Sequence, residues 1–275
     1  MSNNLNDVNK RQEELIIHNT GSSSQKEIFL DLPPLPEIDP ETIELYQNQS
    51  KIRKQILKIL VDYKNWSVFY DILVPEVFCK NLARVGPVIN GGKWICNPVR
   101  VRDFSTCILY SLGIANNPTF EEEFARFTNK KCYIRGVDKE EQYAQTLTAI
   151  KESNGSIIKT LVSPETNKSA DSHTVKSIMR IFNDKKIDIL KVDIEESEYI
   201  IDELLTIPIC QMLIKTRTST PTQSLEILKK ISKEGYYLFS HEINSDYPTL
   251  CEYSFIHESC LRDYGVNIIL GKYLS

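Results

Sequence analysis

The side chains able to do chemistry stand at the ends of short apolar runs. Ser111-Leu-Gly113-Ile-Ala-Asn116 ends one run, Asp138 ends the next, and Asp193-Ile-Glu195-Glu-Ser-Glu198 ends a third. A glycine between a strand and a helix permits a left-handed turn and leaves the first helical amides facing a ligand. A carboxylate about 20 residues further on is placed to accept hydrogen bonds from a ribose diol. Asp138 lies 25 residues past Gly113 and fits that role. Asp193 and Glu195 bring further carboxylates to the same crevice, where one of them could act as a general base. Neither Gly-x-Gly-x-x-Gly nor Gly-x-x-x-x-Gly-Lys-Ser/Thr occurs, so the layout is a nucleoside site without a phosphate cradle.

These positions require an α/β framework. Apolar runs recur at Thr106–Ser111, Cys132–Val137, Ile157–Val162, Ile187–Val192, Ile209–Ile214 and Tyr236–Ser240, with starts 22 to 30 residues apart. Helix signatures lie between them. Asn117-Pro118 opens one, with Phe120, Phe124 and Phe127 on one face. Ser172 is placed to cap a second, whose Val175, Ile178, Met179 and Phe182 share a face. Thr220-Pro-Thr-Gln223 is a capping box, and Gly235 is positioned to end that helix. Alternating strands and helices predict a doubly wound, mostly parallel seven-stranded sheet, with ligands at the carboxyl ends of its strands. Glu252–Ile256 and Val266–Leu270 read as a closing antiparallel hairpin. Residues 41–64 read as a helix with Ile52, Ile56, Ile59 and Leu60 on one face. The predicted organisation is an acidic leader over 1–40, a helical and irregular cap over 41–104, and the sheet domain over 105–275.

Composition narrows the function classes. The chain has 275 residues, a formal charge of −4, 41% hydrophobic and 25% charged residues. The first 50 residues hold nine acids against three bases, which reads as a polar leader before a folded body. The charge balance argues against nucleic acid as a partner. No apolar run approaches a membrane span, and no secretory signal opens the chain, so the expected place is the cytosol. Seven cysteines, an odd number without Cys-x-x-Cys spacing, predict reduced and buried thiols. Four Asn-x-Ser/Thr matches, at Asn48, Asn65, Asn154 and Asn167, are of a number that chance supplies. The histidines have no metal-ligand spacing, and no metal is expected. Glu121, Glu122 and Glu123 read as charge favoured at a helix start. Trp94 and Cys96 read as packing for the cap, and His241 and His257 as hydrogen-bonded structural side chains.

A crevice rich in acids and poor in phosphate-binding glycines suits a cationic nucleoside, and S-adenosylmethionine, a sulfonium, is the candidate cofactor. Asn90-Gly-Gly-Lys-Trp-Ile-Cys-Asn-Pro98, Ile108-Leu-Tyr-Ser-Leu-Gly113-Ile, Phe120-Glu-Glu-Glu-Phe124 and Ile187-Asp-Ile-Leu-Lys-Val-Asp-Ile-Glu195 resemble a eukaryotic methyltransferase-domain family related to FkbM-type O-methyltransferases. The resemblance runs over roughly 82–273. It implies a class I, Rossmann-like methyltransferase fold that uses S-adenosylmethionine. Ser111, Gly113, Asn116 and Asp138 would then bind the cofactor, and Asp193 and Glu195 would be catalytic. The implied reaction is methyl transfer to a hydroxyl of a small-molecule or glycan-like acceptor. Two positions depart from the family pattern. Glu196 stands where a glycine is common after the fourth strand, and Lys215-Thr-Arg217 replaces an acid-and-histidine pair after the fifth. They raise a second expectation, a catalytically inactive methyltransferase-fold protein that serves as a binding or scaffold module. A nicotinamide dehydrogenase is disfavoured by the missing glycine turn.

Overall fold

The computed structural model describes residues 40–59, 65–88, 91–268 and 271–275. The predicted leader lies outside them, except for Pro40. Residues 41–275 gather into one compact unit, to which the predicted cap and sheet segments both belong. The strands are β1 (Val77–Phe78), β2 (Leu82–Val85), β3 (Lys93–Cys96), β4 (Ile108–Leu112), β5 (Tyr133–Asp138), β6 (Gly155–Lys159), β7 (Leu161–Val162), β8 (Ser172–His173), β9 (Ile187–Val192), β10 (Ile209–Arg217), β11 (Tyr236–Ile243), β12 (Leu250–His257) and β13 (Asn267–Ile268). The α-helices are α1 (Pro40–Ile59), α2 (Trp66–Ile72), α3 (Thr119–Phe127), α4 (Ala144–Glu152), α5 (Val175–Phe182), α6 (Ile201–Leu204) and α7 (Pro221–Lys233).

Seven strands form the main sheet in the order β11-β12-β10-β9-β4-β5-β6. β6, β5, β4, β9 and β10 run parallel, and β12 runs antiparallel between β10 and β11. Strand order reverses between β4 and β9, which sets the switch point of the sheet there. All six positions of β9 are buried, as a central strand covered on both faces requires. Alternation sends Leu109, Ile189 and Leu213 to one core and Tyr110, Leu190 and Met212 to the other.

Several expectations shift at the periphery. Glu252–Ile256 pairs antiparallel with β10 and β11, both of which precede it, whereas Asn267–Ile268 pairs with β1. Pairing β12 on both sides satisfies its backbone and leaves no slot for a later strand. Helix α5 is capped by Thr174, whose side chain accepts the Ser177 amide, because Ser172 is already committed to β8. The capping box at Thr220 and the left-handed Gly235 stand as expected. In α1 the buried positions are Ser50 and Leu57, while Ile52, Ile56 and Ile59 are exposed. Ile52, Ile56 and Ile59 are therefore not on the face that packs, and Leu60 lies outside the described residues. Among the described residues no helix is long and apolar enough to cross a membrane.

The expectation of reduced thiols is overturned. Cys79 bonds Cys96, Cys107 bonds Cys132 and Cys210 bonds Cys260, with Cα separations of 5.3, 4.4 and 5.5 Å. Cys251 alone is free, and it is buried. All six paired sulfurs belong to the core on one face of the sheet. Cys107 and Cys132 immediately precede the adjacent strands β4 and β5, so the topology brings them together across 25 residues of sequence. Because the bonds close loops spanning 50 and 17 residues, the Cys210→Ser/Cys260→Ser pair should cost about 4 kcal/mol and the Cys79→Ser/Cys96→Ser pair about 3 kcal/mol. Urea titration without reductant measures both, and no loss in either variant would contradict the covalent links.

Candidate active site at the switch point

The turn after β4 is built from left-handed residues. Gly113, Ala115 and Asn116 have φ of 85°, 50° and 56°. Gly113 donates its amide to Val137 O at 2.9 Å. A Cβ added there would stand 2.2 Å from the carbonyl oxygen of Asp193. The glycine is thus required by the crossing of two protein loops at the switch point. Asp193 closes the same crossing by donating its amide to Leu112 O at 2.8 Å.

Asp138 reaches this turn from the end of β5. Its Oδ2 accepts the amides of Ile114 and Ala115, both at 2.8 Å, and its Oδ1 accepts the Glu140 amide at 2.9 Å. The next amide, of Asn116, goes to Gln142 Oε1 at 2.8 Å. Asn116 Oδ1 in turn accepts the Tyr143 amide at 2.6 Å. Three successive turn amides are therefore answered by side chains of the β5–α4 connection. Successive left-handed residues make an anion-binding concavity, and here the anion is Asp138 itself.

Ser111 is buried under the turn, where its hydroxyl donates to Glu121 Oε1 at 2.5 Å. Glu121 is fully buried and paired with Lys191 of β9 at 3.0 Å. Lys191 also donates to Gly113 O at 3.0 Å and to Ser111 Oγ at 3.3 Å. Glu121 is therefore no surface charge at a helix start. Its Oε2 is buried without a hydrogen-bond partner among the described residues.

On the other side of the switch point, Asp193 sits between two ammonium groups. Lys215 donates to its Oδ1 at 2.9 Å, and Lys93 to its Oδ2 at 3.2 Å. Lys93 also pairs with Glu252 of β12 at 2.8 Å. Burial works against ionisation of Asp193, but Lys93, Lys191 and Lys215 outweigh it and hold the carboxyl far below its ordinary range. Burial likewise disfavours the Lys93 ammonium, yet Glu252 and Asp193 raise it above the usual lysine value. Glu252 is pushed up by burial, which the pull of Lys93 only partly offsets.

The other expected residues are dispersed. Glu195 and Glu196 are exposed. Glu198 Oε1 accepts the Arg217 amide at 2.5 Å and so caps the end of β10. Arg217 places its guanidinium 5.9 Å from the Tyr247 ring centroid, so of the two bases at the carboxyl end of β10 only Lys215 engages Asp193. Trp94 donates its indole N–H to Glu242 at 2.8 Å, and His257 shares a hydrogen bond with Ser259 Oγ at 2.8 Å. His241 is pushed down by burial and stacks on Tyr70.

Sequence reasoning missed Lys93, Glu121, Lys191 and Glu252. Lys191 could have been found, since a lysine in the centre of an otherwise apolar strand needs a buried partner.

With this geometry in view, the methyltransferase-domain family matches residues 41–257, and the chain belongs to that family. No curated protein matches the chain.

Two predictions follow from the loop after β9. Glu196 adopts φ 56° and ψ 33° in the place where relatives are expected to carry glycine. A side chain in that conformation costs roughly 1–2 kcal/mol, so Glu196→Gly should raise stability by up to about 1 kcal/mol after the glycine's own entropy is counted. Chemical denaturation reads the change, and a loss would show that the carboxylate makes contacts worth more than the strain. Asp193 has its folded pKa below its unfolded one, so its contribution is present above roughly pH 4 and is lost as pH falls towards the folded value. Asp193→Asn should therefore be less stable than the parent at pH 7, with the gap narrowing below about pH 4. An equal gap at pH 7 and pH 3 would rule out a charge contribution.

Proposed function

We propose that the chain is an S-adenosylmethionine-dependent methyltransferase acting on a hydroxyl oxygen of a small-molecule or glycan-like acceptor. The observation that carries the reading is the meeting of the Gly113 turn, Asp138 and Asp193 at the sheet's switch point, in a member of the methyltransferase-domain family. The strand order, with an antiparallel strand inserted next to the far edge, supports a class I arrangement. The relation to FkbM-type enzymes belongs to the same reading.

The residues present fit a cationic nucleoside. Asp138 uses three of roughly four acceptor sites on backbone amides, which leaves one for a ribose hydroxyl. Asp138 also fills the amide concavity that a phosphate would need. Glu121 Oε2, buried and unpartnered among the described residues, is an acceptor for a cationic donor beside the turn. Ser111 and Asn116 act indirectly: Ser111 orients Glu121, and Asn116 holds the α4 entry. S-adenosylmethionine, when bound, supplies an electrophilic methyl group on a sulfonium. The chain's task is then alignment and electrostatics rather than bond activation. Asp193, held ionised by its lysines, is too weak a base to take a hydroxyl proton efficiently. Its role in this reading is to orient Lys93 and Lys215, and Glu195 is left as the proton acceptor at the exposed rim.

A second reading, a non-catalytic binding module, is favoured by the Lys93–Asp193–Lys215 lock. Three disulfides fit an oxidising compartment better than the cytosol, and this reading places the chain in such a compartment.

Calorimetric titration with S-adenosylmethionine separates the readings. Binding should be measurable, and Asp138→Ala should weaken it by roughly 1.5–3 kcal/mol, the range for hydrogen bonds to a charged group. Thermal melting of the variant checks that the turn survives. Absence of binding by the parent protein would leave the module reading. Methyl transfer to a panel of hydroxylated acceptors is then compared before and after Lys215→Glu with Arg217→His. A gain would show that the lysine lock restrains turnover, and a loss would show that the bases recruit an anionic acceptor.

A further inference from the structure

We propose that Asn167 is an acceptor for an N-linked glycan, added while the chain passes through an oxidising lumen. Two observations carry this beyond the Asn-x-Ser/Thr pattern. The first is the covalent state of the core. Six of seven cysteines are paired, and the seventh is buried. Disulfides at this density form and persist where thiol buffers do not reduce them, in the secretory route and outside the cell. Asn-x-Ser/Thr glycosylation belongs to proteins of that route and marks surface loops.

The second observation is that the fold sorts the four candidate asparagines. A glycan on Nδ2 must reach solvent once the chain is folded, as exposed Asn48, Asn65 and Asn167 all allow, and it marks a surface loop, which of the four Asn167 alone occupies between two strands. Asn154 fails the first condition. It is half-buried, has φ 65°, and its Nδ2 donates to Lys130 O and Cys132 O, both at 3.2 Å. Those bonds hold the segment that carries the Cys107–Cys132 link. Asn48 lies within α1, two residues before the buried Ser50, and its Oδ1 accepts the Lys51 ammonium. Asn65 caps α2 through its Oδ1 and lines a hollow with Trp66 and Tyr70. Asn167 meets both conditions: it lies in the connection between β7 and β8, where Thr166, Asn167 and Ser169 are all exposed. Its Oδ1 accepts the Ser169 amide at 3.0 Å, so the oxygen fixes the side chain and the nitrogen is the atom left for a sugar. Its backbone exchanges hydrogen bonds with Ser172 at 2.8 and 3.1 Å, so the loop is braced independently of the side-chain nitrogen.

In the transfer, Nδ2 attacks the anomeric carbon of a polyprenyl-diphosphate-linked oligosaccharide. The new N–C bond forms as the C–O bond to the diphosphate breaks. One amide proton passes to a base of the host transferase, and the polyprenyl diphosphate leaves with the electron pair.

The test uses the full chain isolated from the cells that make it, with thiols trapped by N-ethylmaleimide at lysis. Peptide-N-glycosidase treatment in ¹⁸O-water, followed by peptide mapping, should convert Asn167 to ¹⁸O-labelled aspartate and leave Asn154 unchanged. Cys79, Cys96, Cys107, Cys132, Cys210 and Cys260 should be recovered without maleimide. Full-length Asn167→Gln chain made in the same cells should lose one glycosidase-sensitive step in gel mobility. Recovery of the Asn167 peptide as unmodified asparagine before glycosidase treatment would overturn the assignment, as would maleimide on the six paired cysteines. None of these readouts depends on methyl transfer.

Discussion

The arrangement depends most on the crossing of the β4 and β9 exits at Asp193. One residue serves three purposes there. Its amide ties the two central strands together, its carbonyl presses against Gly113 and forbids a side chain, and its carboxylate gathers Lys93 and Lys215. Lys93 is fully buried, and an ammonium in that position is tolerable only with paired anions. Asp193 and Glu252 supply them, which fixes where the β2–β3 hairpin lies on the sheet. Lys191 and Glu121 repeat the pairing on the other side of the crossing. In these networks three ammonium groups face three carboxylates, and Asp138 beside them, held by backbone amides, leaves the edge one carboxylate in excess.

That balance bears on the ligand. A turn with three left-handed residues ordinarily presents amides to an anion. Here Asp138 and Gln142 have taken them. An incoming phosphate would have to displace a carboxylate already held by three amides. A neutral sugar or a cation meets no such competitor. The same feature rigidifies the turn, so any affinity for a nucleoside comes from a surface organised before binding.

Most of the sheet was legible because its signal is local. Six apolar runs, the Thr220 box and Gly235 each carry their own instruction, and the structure places them within a few residues of the expected bounds. The positions of Gly113, Asp138 and Asp193 at one edge followed from the order of the runs. The partners of those residues did not, because they come from distant sequence: Lys93 lies 100 residues before Asp193, and Glu252 pairs from an antiparallel strand. Glu196 was legible as standing where a glycine is common, and the left-handed backbone is there. The closing hairpin misled because two adjacent runs look alike whether they pair with each other or with something earlier. The disulfides misled for a similar reason. Their pairing is a property of strand order, which spacing along the chain does not encode.

The disulfides and the ionic network also divide the sheet between them. Cys107 and Cys132 precede β4 and β5, Cys210 is the second residue of β10, and Cys260 follows β12 where it runs back to that same edge. Gln211 hydrogen-bonds the Cys96 backbone in both directions, at 2.9 and 2.8 Å, which puts the third bond there as well. All three staples thus gather at the amino edge of the parallel strands, and the lysine–carboxylate groups gather at the carboxyl edge. A strand of five or six residues separates the two by about 17–20 Å. Reduction of the disulfides would lower the stability of the whole fold by enlarging the freedom of the unfolded chain, without altering any charge at the switch point. The covalent staples and the electrostatics of the site are therefore set by different residues at opposite ends of the same strands.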